Sequence, residues 1–395
     1  MASAADPEAR APLIVYVVNH AAFFVSHRLP LALAARERGY RVALVTGQAG
    51  SESMEPAAEQ ALAANGIEHH RVAFTASGTN PFIELLGLVQ LVSRLRALRP
   101  SLIHCASPKG NLYGGIAARF ARVPAVVIAV TGMGFAFTQD AKRSLVRSTL
   151  ASIFRSLAHF AFRQRRKVVI VQNRDDLALM TQSGLAREDE VVLLPGSGVD
   201  VARFAEVAGT PKEPIVLFPA RMLRDKGAHE FIEAARILRS QGIPWRFVMA
   251  GAADYDNPTS MPRADLARAT AEKSIEWVGH VAKTLPLYAS ASIVCLPSYR
   301  EGMPKSLLEA AAAGCAVVTT DVTGCREAVL PGVTGDLVPA REVEPLAAAL
   351  KTLIQDEQRR ESYGRAGRRL AAERYDIGIL SRQIMGIYED LLKHG

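Results

Sequence analysis

Ile293-Val294-Cys295-Leu296-Pro297-Ser298-Tyr299-Arg300-Glu301-Gly302-Met303-Pro304-Lys305-Ser306-Leu307-Leu308-Glu309 reads as a buried strand, a loop and the start of a helix. The apolar run 293–296 has the pattern of a strand covered on both faces. Gly302 and Pro304 break the chain and open a helix, and Gly314 ends it. Strand followed by helix is the repeating unit of an α/β fold, and the alternation continues in both directions. Upstream, 13–18, 42–45, 102–105, 126–130, 168–171 and 191–194 are near-continuous apolar runs, enough for one parallel sheet of six strands. Helical apolar spacing occupies 29–38, 81–98 and 112–121 between them. The segment 197–214 loses this pattern, and Gly209, Pro211 and Pro214 mark a linker. A second series follows at 215–218, 247–250, 293–296 and 316–319, and helices at 343–356, 358–373 and 377–392 close the chain. The expectation is two doubly wound, Rossmann-like parallel-sheet domains, 12–200 and 201–376.

Composition agrees with this division. At 395 residues the chain exceeds one ordinary core, and 49% hydrophobic with 22% charged residues is the balance of a globular protein. No apolar run approaches the ~18 residues of a membrane span. Residues 1–12 are acidic and Ala/Pro-rich, unlike a secretory signal, so a cytoplasmic location is expected. The four cysteines, Cys105, Cys295, Cys315 and Cys325, show no Cys-x-x-Cys spacing and read as reduced structural thiols. The net charge of +8 is uneven, because residues 141–174 contain no acid and nine Lys or Arg.

Glu301 falls in the loop and Glu309 in the helix, with seven residues between them. A continuous helix would set these positions roughly 12 Å apart, with the backbone N–H groups near Gly302 and Met303 between them, where anions bind. A ligand with hydroxyls at both ends and a diphosphate in the middle matches this spacing. Two solvated glutamates on an amphipathic helix match it equally well.

With Ser298 ahead and Gly324-Cys325-Arg326-Glu327 behind, the segment resembles the Glu-x7-Glu signature of glycosyltransferase family 4, retaining sugar transferases of GT-B fold. Pro219-Ala220-Arg221-Met222-Leu223-Arg224-Asp225-Lys226-Gly227 resembles the family's Arg and Lys-Gly pair. Pro195-Gly196-Ser197-Gly198-Val199-Asp200 resembles its Asn-Gly-Val-Asp segment, and Trp277-Val278-Gly279-His280-Val281 its base-side loop. The resemblance implies two domains facing across a cleft, with the last helix, 377–393, joining the first. It implies that Arg221 and Lys226 clamp a diphosphate, that Glu301 acts on the reacting sugar, and that Glu309 holds ribose. Gly302, Met303, Pro304, Ser306, Val281 and Gly251 are expected to complete a UDP-sugar site, with no cofactor and no metal. The mechanism implied is front-face retention, since no carboxylate is an obvious covalent nucleophile.

Two loops depart from the family pattern. Thr131-Gly132-Met133-Gly134-Phe135 stands where a His-Gly pair is usual, and Asn19-His20-Ala21-Ala22-Phe23-Phe24-Val25-Ser26-His27-Arg28 where many relatives have Gly-Gly. Both forms resemble the subset acting on polyprenyl-diphosphate-linked saccharides. His27, Arg28, Lys109, Thr131 and Gly132 are therefore the expected acceptor-side residues, and Ser26 a cap for the following helix.

Residues 142–167 combine basic side chains with apolar Val146, Leu150, Ile153, Leu157 and Phe160 at helical steps. This pattern suits either an anionic membrane surface or a helix packed on a core; a lipid-borne acceptor favours attachment to the inner face of the plasma membrane. Asp254-Tyr255-Asp256 resembles a metal-binding Asp-x-Asp, but it follows a strand of the second sheet, where cationic side chains do a metal's work. A sugar-nucleotide 2-epimerase of the same architecture is the rival enzyme. A basic nucleic-acid-binding protein is the non-enzymatic rival, and the few aromatics in 141–167 argue against it, so no nucleic-acid partner is expected.

Overall fold

The computed structural model describes residues 11–48, 54–75, 80–132, 145–207, 210–255 and 257–393, with 145–153 described by their backbone. The chain divides into two compact units, Met1–Leu194 with Leu380–Gly395, and Pro195–Ile379. The second unit begins at Pro195.

The first unit holds a seven-stranded parallel sheet in the order β3-β2-β1-β4-β5-β6-β7. Its strands are β1 (Leu13–Val18), β2 (Arg41–Gln48), β3 (Glu68–Thr75), β4 (Leu102–Ala106), β5 (Ala125–Val130), β6 (Lys167–Val171) and β7 (Val191–Leu193). Its helices are α1 (Ala21–His27), α2 (Leu29–Glu37), α3 (Glu55–Ala64), α4 (Pro81–Leu98), α5 (Pro108–Ala121), α6 (Leu145–Phe162) and α7 (Arg174–Gln182). The strand beyond the six expected is β3. It lies at the sheet edge and begins Glu-His-His-Arg, so only Val72 and Phe74 of its eight residues are fully buried.

The second unit holds six strands in the order β10-β9-β8-β11-β12-β13. They are β8 (Glu213–Phe218), β9 (Arg246–Ala250), β10 (Glu276–Gly279), β11 (Ala291–Leu296), β12 (Ala316–Thr320) and β13 (Gly335–Val338). The helices are α8 (Val201–Ala205), α9 (Ala228–Ser240), α10 (Arg263–Ala271), α11 (Leu285–Ser290), α12 (Lys305–Ala312), α13 (Val343–Gln355) and α14 (Glu357–Leu370). A π-helical turn, Ala371–Tyr375, then leads to α15 (Ile377–Lys393). The two strands absent from the sequence reading, β10 and β13, are the two edges, four residues each and only partly buried.

Helix α15 returns to the first unit, where Met385 and Tyr388 join the core formed by Ile14, Tyr16, Val18 and Leu44. The Tyr388 hydroxyl lies 3.1 Å from the Tyr16 hydroxyl and 2.6 Å from His104 Nδ1. Burial pushes both phenols up, and burial followed by the nearby Arg28 charge holds His104 well below the ordinary histidine range. Arg28 itself is only 5% exposed. Its guanidinium faces this network and braces the seat of α15.

The segment 19–28, expected as a loop, forms α1. Ser26 lies inside that helix and returns its hydroxyl to the Phe23 carbonyl (3.2 Å), so it does not cap α2. The cap is His20, whose Nδ1 accepts from the Phe23 amide at 3.2 Å. In α6, Leu157 and Phe160 face solvent while Ala158, Ala161 and Phe162 turn to the core.

Candidate active site

Open α/β sheets bind ligands outside the carboxyl ends of their strands, where the strand order reverses. In the second unit that point lies between β8 and β11. The loop after β8 carries Arg221 and Lys226; the loop after β11 carries Ser298 and Glu301. Their approach is close because Gly227 sits in the left-handed region (φ +75°) against Pro297, where a Cβ would overlap the proline carbonyl. The Tyr299 amide donates to the Asp225 carbonyl at 2.9 Å and ties the same loops.

Three side chains meet here. Lys226 Nζ lies 2.5 Å from Glu301 Oε1, and the buried Ser298 hydroxyl donates to the same oxygen at 2.6 Å. Both bonds fall on Oε1, so Oε2 keeps its acceptor capacity for a ligand hydroxyl. The Glu301 backbone is fixed by its amide donating to the Thr323 carbonyl at 3.0 Å, and the Ser298 carbonyl accepts from the Thr320 hydroxyl. The acid beside a buried thiol adds to burial in pushing Cys325 up to about 12, so this cysteine is not a nucleophile.

Glu309 lies apart, inside α12, with Lys305 Nζ 3.6 Å away. From the protein interior, the buried Tyr288 phenol comes within electrostatic reach of the same carboxylate; burial, then Glu309, pushes it well above its ordinary range, so the hydroxyl stays protonated beneath Glu309. Helix α12 begins behind Pro304 with no side-chain cap. Gly302 and Pro304 are buried, Ser306 is half-exposed, and Met303 and Val281 pack against the core of the second unit. Arg221 pairs with Asp254 at 2.7 Å. Asp254 is thus the partner of a cation rather than half of a metal pair, and Asp256 lies outside the described residues. Gly251 presses on the Ala220 carbonyl so closely that a Cβ would overlap it, and its own carbonyl accepts from Trp277 Nε1 at 2.9 Å. No group of His, Cys, Asp and Glu suited to a metal occurs among the described residues.

In the first unit the strand order reverses between β1 and β4. The Asn19 amide donates to Ser107 Oγ at 3.0 Å, and Ser107 Oγ donates back to Asn19 Oδ1 at 2.7 Å. Ser107 stands at φ +72°, ψ 156°, a conformation that glycine alone adopts freely; such strain persists where surrounding structure enforces it, often at functional sites. Glu55 accepts from the Ala21 and Ala22 amides (3.3 and 2.9 Å) and lies 3.4 Å from His20 Nδ1. Asn19, His20, Glu55 and Ser107 were all missed by sequence reasoning, although Asn19 and His20 stood in the first-loop motif. Lys109 pairs with Glu84 at 2.9 Å. His27 stacks on Phe23 with ring centroids 4.7 Å apart. Thr131 and Gly132 follow β5 and are half-buried, and residues 133–135 lie outside those described.

The first unit matches the family model described as glycosyl transferase 4-like, over residues 13–173, and the second that of glycosyl transferases group 1, over 202–370. N,N'-diacetylbacillosaminyl-diphospho-undecaprenol alpha-1,3-N-acetylgalactosaminyltransferase of Campylobacter jejuni is 27% identical over 95% of this chain and 98% of its own length. The capsular polysaccharide biosynthesis glycosyltransferase CapM of Staphylococcus aureus is 23% identical over 79% of this chain and 82% of its own. Among solved structures, Anabaena HepE in complex with UDP and glucose superposes with a TM-score of 0.73 at 20% identity, covering 96% of this chain and all of that one (100%).

Proposed function

Because the chain belongs to glycosyltransferase family 4, we propose that it is a retaining enzyme that transfers a hexose or N-acetylhexosamine from a UDP-sugar to a polyprenyl-diphosphate-linked saccharide. The chain is a glycosyltransferase of GT-B fold; the substrates, the stereochemistry and a place on the inner membrane face are our reading. The observation that carries it is the Ser298–Glu301–Lys226 cluster at the point where the strand order of the second sheet reverses. The relatives add support: the Campylobacter protein is named for a diphospho-undecaprenol sugar, and HepE was solved with UDP. No helix among the described residues is long and apolar enough to cross a membrane.

In the proposed reaction the bond between the sugar's anomeric carbon and the diphosphate oxygen breaks. The acceptor hydroxyl forms its new bond on the same face, and its proton passes to the departing diphosphate. Lys226 and Arg221 balance the charge that develops on the leaving group, where fixed cations act most strongly. Glu301, oriented by Ser298 and Lys226, holds a hydroxyl of the reacting sugar through a charge-assisted bond, and Glu309 holds the ribose.

The test is UDP release from a panel of UDP-sugars offered with a polyprenyl-diphosphate disaccharide, with the anomeric configuration of the product read by NMR. Acceptor-dependent release with retained configuration is expected. An epimerised sugar nucleotide formed without acceptor would identify the 2-epimerase instead.

A further inference from the structure

Helices α4, α5 and α6 pack side by side on one face of the first unit's sheet. Eight of the thirteen large hydrophobic side chains exposed among the described residues lie on these three helices. Phe82, Leu85, Leu86 and Val89 form an i, i+3, i+4, i+7 stripe on α4 that points to solvent, with Phe82 83% exposed. The opposite side of α4 is equally apolar, since Gly87, Leu91 and Leu95 are buried against the sheet. Contiguous exposed apolar surface of this kind marks a contact face.

On the same helical layer, between the carboxyl ends of α5 and α6, lies a cavity of about 760 Å³ lined by Arg119, Arg122, Arg163, Arg165 and Arg166. It opens at the amino ends of β5 and β6, away from the loops that carry Asn19, Ser107 and Thr131. Gln164 fixes the connection by donating to the Gly115 and Ala161 carbonyls at 2.7 and 2.6 Å. Arg119 covers the Phe160 ring at 4.5 Å, and Phe160 lies 6.0 Å from Phe120, so the rim is aromatic and exposed. Among the described residues, no ion pair holds any of the five arginines. The one acid on α4 and α5 is Glu84, already paired with Lys109, and α6 has none.

We infer that this helical face docks on an anionic bilayer, with the α4 stripe entering the interface and the arginine cavity seating phospholipid phosphates. The inference rests on the membrane-linked acceptor proposed above and names the surface that meets the lipid. A second copy of the chain fits poorly, because a self-complementary contact would set cation against cation. A soluble phosphate would leave the apolar stripe and aromatic rim without a partner. A bilayer satisfies both, since amphipathic helices bind through apolar area together with attraction to anionic headgroups.

The test is flotation of the full chain with vesicles of phosphatidylcholine alone or mixed with phosphatidylglycerol. Three proteins are compared: wild type, Leu86→Glu and Arg163→Gln/Arg165→Gln. Wild type should float with the anionic vesicles only. The arginine variant should partition about thirtyfold more weakly, and Leu86→Glu should stay in solution. All three should transfer sugar equally well to a water-soluble acceptor analogue, so a failure of docking and a failure of the catalytic reading give different results. Equal flotation of the three proteins would overturn the inference. So would a wild-type dimer broken by Leu86→Glu, or saturable binding of inorganic pyrophosphate without vesicle binding.

Discussion

The Lys226 ammonium and the Glu301 carboxylate, 75 positions apart in sequence, lie 2.5 Å from each other in the second unit. In the proposed reaction each has a separate task, charge balance for one and a sugar hydroxyl for the other. An approaching diphosphate therefore competes with Glu301 for Lys226. Lys226→Ala should lower kcat/KM by about 100- to 1,000-fold, the loss typical of one oxyanion donor. Because the residues touch, combining it with Glu301→Gln should fall short of the product of the single effects. Unchanged turnover in Lys226→Ala would remove the role.

Glu301 and Glu309 should separate kinetically. Glu301→Ala should lower kcat, since its contact strengthens as the reacting sugar changes. Glu309→Ala should chiefly raise the donor KM, as expected for uniform binding. Donor-saturation curves at fixed acceptor measure both, and equal changes in both parameters for the two variants would contradict the division.

Tyr288 is buried beneath Glu309, whose charge adds to burial in keeping its hydroxyl protonated and able to donate to the carboxylate. Removing the hydroxyl leaves Glu309 free to rotate without emptying a pocket. Tyr288→Phe should raise the donor KM about tenfold, matching a hydrogen bond to a charged group of roughly 1.5 kcal/mol, with kcat held. A variant with wild-type donor KM would show that Tyr288 only fills space.

Stability should depend on pH through His104. Burial, and then the Arg28 charge, hold its folded pKa well below the ordinary range, whereas the unfolded value is about 6.5. Below that value the unfolded chain takes up a proton that the folded chain refuses. Stability is thus complete above about pH 6.5 and falls as pH drops, by up to about 1.4 kcal/mol per unit. His69, also lowered mainly by burial, acts in the same direction. Thermal midpoints between pH 7.5 and pH 5 should fall less steeply for His104→Gln than for wild type, and parallel curves would exclude His104 as the source.

The central strands were legible because both their faces are covered, which writes continuous apolar runs such as Leu13–Val18. The edge strands β3, β10 and β13 were not, since one open side admits Glu68, His69, Arg71 and Asp336 among their residues. The site divides similarly. Glu301, Arg221 and Lys226 stand in local motifs, whereas Asp254 reaches Arg221 from 33 positions away and Glu55 reaches the Ala21 amide from 34. Such pairings are made by topology and leave no spacing to read. Arg28 stood in a motif as well, yet its burial follows from the return of α15, which local sequence does not encode.

The most direct measurement is calorimetric titration of UDP into the wild-type chain and into Arg221→Ala/Lys226→Ala. Saturable binding to wild type, weakened at least about tenfold in the double variant as each lost charge-assisted bond implies, is the expected result. Equal UDP affinity in the two proteins, or no binding to either, would contradict a diphosphate site at the carboxyl ends of β8 and β11.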